Sequence, residues 1–104
     1  LEMLSCGKHV ITTNYSAHTE FCHPDNSLLI DIEQHEMAYD GQWFHGKCGK
    51  WANIGSNQIE QAVHYCRMIH NEKQSGNLKI NDEGIKTGQY FSWDNSAKKI
   101  LNYV

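Results

Sequence analysis

The chain has 104 residues and a formal net charge of −3 at neutral pH, with seven histidines, four cysteines and one arginine, Arg67. That length suits a single domain. A mean hydropathy of −0.63 argues against a membrane protein, and the absence of a general basic surface removes nucleic acid as the expected partner.

In chain order, Lys8 to Thr13 (KHVITT) is rich in β-branched residues and predicts a strand. Cys22-His-Pro-Asp-Asn-Ser27 holds the only proline and reads as a turn. Leu28 to Ile32 (LLIDI) is a short apolar run that predicts a buried strand, with Leu28, Ile30 and Ile32 on one face. Leu28-Leu29-Ile30 within it is the longest aliphatic run, far short of the roughly 20 residues that a spanning helix needs. Met37 to Phe44 is broken by Asp40-Gly41, a hairpin signal that predicts two strands joined there.

The spacing predicts a helix over about 57–71. Asn57 with Glu60 three residues later suits a capping box. Ile59, Ala62, Val63, Cys66 and Ile69 or His70 form an apolar stripe. Gly76 is placed to end the helix. Beyond it, Asn77 to Ile80 reads as a short strand and Asn81-Asp-Glu-Gly84 as a turn. Gln89 to Trp93 and Lys99 to Val104 read as a closing hairpin around Asp94-Asn95-Ser96. The expected fold is therefore α+β: residues 1–104 as one secreted domain, an antiparallel sheet with one main helix packed on it, held by disulfides.

Cys6, Cys22, Cys48 and Cys66 stand far apart with no C-x-x-C pair. An even count in a short chain predicts two disulfides, each worth about 2–4 kcal/mol. Three connectivities are open. The competing readings are a metal site drawing on Cys66, His70, Cys22, His23 and Cys48, which fits no zinc spacing, and free thiols. With disulfides preferred, no metal and no cofactor are expected. Asn14-Tyr15-Ser16 is a glycosylation triplet centred on Asn14. The start at Leu1-Glu2 is expected of a mature form with its secretion signal removed, or of a trimmed chain.

Candidate chemistry is sparse. Glu33-Gln34-His35-Glu36 is the densest run of acid–base types. A small ribonuclease needs a carboxylate, a histidine and a cation for phosphate charge. Glu36, His35 or His45, and Arg67 could supply them if the fold converges them. The bland reading of the same run is a solvated strand edge. Among the aromatic residues Trp51, in an expected polar loop beside Lys47 and Lys50, is the best candidate for an exposed binding residue.

Cys48, the stretch Gly55 to Cys66, Gly88 and Leu101-Asn102-Tyr103-Val104 together resemble the second half of small secreted killer-toxin-like proteins of fungi. That resemblance implies a disulfide-held α/β sandwich, extracellular, acting on other cells without being an enzyme. The combined expectation is a secreted fungal toxin or virulence effector. It would bind a protein target of a host or competitor cell, outside or inside that cell. The runner-up is a secreted ribonuclease-like domain, active or degenerate, using His35, Glu36 and Arg67.

Overall fold

The computed structural model describes residues 1–104. A short helix α1 (Glu2–Ser5) leads into strand β1 (Ile11–Thr13). A 3₁₀ turn (Ala17–Glu20) and the Cys22–Ser27 turn return the chain to β2 (Leu28–Ile30). The hairpin β3 (His35–Tyr39) and β4 (His45–Ala52) follows. Three helices end the chain: α2 (Ser56–Gln74), α3 (Asp82–Tyr90) and α4 (Trp93–Asn102).

The α+β class holds, but not as one antiparallel sheet under one helix. There are two separate two-stranded sheets. β1 and β2 pair in parallel, Ile11 opposite Leu28. β3 and β4 pair antiparallel, His35 opposite Ala52. Neither makes a clear sandwich. No strand forms over Gln89 to Trp93 or Lys99 to Val104: the first holds the end of α3, its junction and the first residue of α4, the second the end of α4 and two residues after it, and Asn77 to Ile80 is irregular. The turn expected at Asn81 to Gly84 is the start of α3, where Asn81 caps the helix by accepting from the Gly84 N–H at 3.0 Å. Ser92 caps α4 in the same way through the Asn95 N–H. Asn81, expected in a turn, and Ser92, expected in a strand, are both helix caps.

The hairpin forms where Asp40-Gly41 predicts it. Asp40 Oδ1 accepts from the N–H groups of Gln42, Trp43 and Phe44. These three donors hold its carboxyl below the ordinary aspartate range, the Phe44 N–H most strongly. On β4 the ladder bulges: between the pairs Met37–Lys50 and Tyr39–His45, the single residue Ala38 faces four, Gly46 to Gly49. Gly46 and Gly49 bracket the bulge at φ 76° and 106°, a region that side chains avoid.

Helix α2 is capped at Gly55, whose N–H donates to Gln58 Oε1 at 3.0 Å, rather than at Asn57. Its inward face is Gln58, Gln61, Ala62, Tyr65 and Ile69. Ile59 and Val63 of the expected core stripe are 55% and 42% exposed. The apolar stripe is thus rotated away from the face that the chain itself covers.

The apolar core is small. Only 11 of 104 residues are buried, and Leu4 alone is a large side chain wholly out of water. Leu4 lies between α1 and α3, which approach closely because α3 offers Gly84 and Gly88 there. A Cβ on Gly88 would stand 2.8 Å from Ser5 Cα. Beside it is a buried polar nucleus. Asn26 Nδ2 donates to Thr87 Oγ1 at 2.8 Å and to the Phe21 carbonyl at 2.9 Å. Asn26 Oδ1 accepts from the His23 N–H and the Ser27 hydroxyl. Asn81 Nδ2 donates to the carbonyls of Asn26 and Lys8 at 2.8 and 3.0 Å. Two asparagines thereby bind the turn before β2, the segment leading into β1 and helix α3 into one unit.

Candidate binding surfaces

The four cysteines are free, and none lies near another. Cys6 follows α1, Cys22 is buried beside the turn, Cys48 stands in the β4 bulge and Cys66 on α2. Each is held by a different element, and sulfur atoms must come within bonding reach before a bridge can form. The disulfide expectation is overturned. The expectation of a secreted fungal toxin or virulence effector drew on those bridges together with chain length, charge and the killer-toxin resemblance; it loses the bridges, and nothing in the structure gives evidence of secretion, toxicity or virulence.

No group of three or more His, Cys, Asp or Glu residues gathers in a metal-binding arrangement. No helix is long and apolar enough to cross a membrane.

The acid–base candidates are dispersed. His35 and Glu36 are neighbours on β3, so their side chains leave opposite faces of the strand. His35 packs at 5.2 Å against the Tyr15 ring. Glu36 Oε1 accepts from Trp51 Nε1 at 2.9 Å. Arg67 stands on α2 at a groove. No hydrogen bond or ion pair joins any two of His35, Glu36 and Arg67, and His45 opens β4 opposite Tyr39.

Trp51 lies in strand β4 rather than in a loop, and is half-buried by Glu36 and by the edge of Phe44, with ring centroids 5.7 Å apart. Lys47 and Lys50 are exposed on the same strand, Lys47 within the bulge. Asn14 is exposed at the end of β1. The larger aromatic exposure is Trp43 at the hairpin tip.

Two further apolar surfaces escaped the sequence reading. The first is helix α4. Trp93, Ala97, Ile100 and Leu101 recur at the 3.6-residue period and form one stripe, with Val104 exposed just past the helix end. Nothing in the chain covers it: Trp93 is 92% exposed, Leu101 72%. Polar contacts tie α4 to α3, from Asn95 Nδ2 to the carbonyls of Gln89 and Tyr90 and from Lys99 to Tyr90. The signal for this helix was that stripe, behind Ser92 as cap; reading Lys99 to Val104 as a strand hid it. The second surface is a groove of about 320 Å³ between α2 and the β1–β2 sheet. Thr13, Ile30, Ile54, Ile59 and Val63 line it, with Arg67 at the same groove.

These surfaces register in the whole molecule. A chain of this length packs to a radius of gyration of about 13 Å; the observed value is 17.1 Å. A globular protein of this mass exposes about 6,000 Å²; this chain exposes 8015 Å². The excess is what one side of a large, permanent interface covers.

No protein-family model matches the chain, and it has no significant match among curated proteins or solved structures. The resemblance to killer-toxin-like proteins therefore stands on its quoted residues alone. In the structure Gly88 is a helix–helix contact in α3, and Leu101 and Asn102 end α4.

Proposed function

We propose that this chain acts by binding another polypeptide through a permanent, apolar interface. The observation that carries this is α4: an amphipathic helix of ten residues with no cover on its apolar side. A helix that short is marginal in water without packing. Burying Trp93, Ile100, Leu101 and Val104 would contribute about 2 kcal/mol each. The open groove beside α2 and the exposed hairpin tip around Trp43 support the same reading, because large apolar patches mark interaction sites.

The test pairs a tagged chain with its Ile100→Lys, Leu101→Lys variant, both recovered from cells that make the protein. The expected result is a polypeptide recovered in stoichiometric amount with the unaltered chain and lost with the variant, while the two chains keep the same circular dichroism. An unaltered chain that is monomeric by light scattering and carries no stoichiometric partner refutes the proposal.

A further inference from the structure

The two edges of the β1–β2 sheet are not alike. The outer edge of β2 is closed by α2. Tyr65 Oη donates to the Leu29 carbonyl at 3.2 Å, Gln58 Nε2 to the Asp31 carbonyl at 3.1 Å, and the Asp31 N–H donates to Gln61 Oε1 at 3.2 Å. The outer edge of β1 is open. The parallel ladder uses the Val10 carbonyl and the Asn14 N–H toward β2, so the Ile11 N–H, Ile11 carbonyl and Thr13 N–H point away from it. None of these three has a partner within the chain. The fourth edge group, the Thr13 carbonyl, accepts from His18 Nε2.

We infer that the β1 edge takes a strand from the partner, parallel to β1, so that this chain completes a parallel α/β sheet. The inference rests on the binding reading above and names the mode of docking. Three observations carry it. A parallel sheet is found almost only in larger sheets covered on both faces, and a two-stranded one is incomplete. The open groups match a parallel neighbour: one incoming residue opposite Thr12 would donate to the Ile11 carbonyl and accept from the Thr13 N–H. A second copy pairing β1 antiparallel about Thr12 needs the Thr13 carbonyls that His18 occupies. The apolar groove continues this edge, since Thr13 belongs to both. A strand laid along β1 would extend the sheet beneath Ile59 and Val63 and give the exposed stripe of α2 an apolar neighbour.

The probe is a synthetic capped peptide, Lys-Thr-Val-Thr-Val-Thr-Lys, with a nitroxide at its N-terminal end, added to the labelled chain. Amide exchange by NMR is expected to slow about tenfold at Ile11 and Thr13 and to stay unchanged at Thr12, whose N–H is already in the ladder. The nitroxide should broaden Lys8 to Val10 more than Asn14 and Tyr15, which reports parallel addition. Ile11→Pro removes one edge donor without touching the β1–β2 ladder and should abolish the effect; Thr13→Pro serves if that variant does not fold. Unchanged exchange at Ile11 and Thr13, broadening at the Asn14 end, or edge protection in a peptide-free dimer would each overturn the inference. The two proposals fail separately. Loss of the partner in the α4 variant together with a silent edge leaves the binding reading and removes the strand. Edge protection with full recovery of the partner by the α4 variant does the reverse.

Discussion

Replacing Asn26 by alanine tests whether a polar nucleus, more than an apolar core, holds this fold. The side chain is 3% exposed. It donates to Phe21 O and Thr87 Oγ1 and accepts from His23 N and Ser27 Oγ, at 2.8 to 2.9 Å. A net hydrogen bond contributes about 1 kcal/mol, and an orphaned buried partner costs more. The Phe21 carbonyl and the His23 N–H lose a partner that a hydroxyl rotation cannot replace; Thr87 keeps its bond to the Glu83 carbonyl. The loss should be about 3–5 kcal/mol. A domain of this length has about 5–15 kcal/mol in all, so the loss is a large share of the total and the urea midpoint should fall sharply. Urea unfolding followed by circular dichroism measures it, with Asn77→Ala as an exposed control that should shift by less than about 0.5 kcal/mol. A loss below about 1 kcal/mol for Asn26→Ala would refute the reasoning and place the determinants of the fold elsewhere.

Four more outcomes are expected. Leu4→Ala should lose about 3 kcal/mol in the same assay, because Leu4 is the one large side chain with no exposure. Gly88→Ala should destabilise by about 1–3 kcal/mol despite the better helix propensity of alanine, since the new Cβ would stand 2.8 Å from Ser5 Cα; equal or greater stability would show that α1 yields. Intact mass with thiol alkylation of the native chain should show Cys6, Cys48 and Cys66 modified without prior reduction, and Cys22 only after unfolding, since it alone is buried. The Asp40 turn should persist down to about pH 4 and loosen below it. A carboxyl whose folded value lies below its unfolded value of about 3.9 stabilises above that value, and the stabilisation is lost as pH falls through the folded one. The Trp43 amide shift followed by NMR reads this, and Asp40→Asn should flatten the profile.

Local chemistry was legible in the residues themselves. The Asp40-Gly41 hairpin, the strands within KHVITT and LLIDI, the long helix and its stop at Gly76 are set by interactions over a few positions, so they formed where the sequence placed them. The last quarter was misread because Asn81 serves equally in a turn and as a helix cap, and because Gln89 to Trp93, with the cap Ser92 inside it, has the aromatic composition of a strand. What decides between them is whether the residues after them find helical contacts, as Gly84 and Gly88 do against α1. The disulfides were an inference from count and class, and only distance in space could decide them.

The candidate site shows the same division. Sequence periodicity determined that α2 carries an apolar stripe at Ile59, Val63 and Cys66. It could not say that the chain would cover the neighbouring face of Gln58, Gln61 and Tyr65 instead, because those polar side chains close the edge of β2. Which residues are apolar is a property of the chain. Which apolar residues are left uncovered, and which strand edge stays open, depends on where every other element comes to rest, and that is decided only in the tertiary structure.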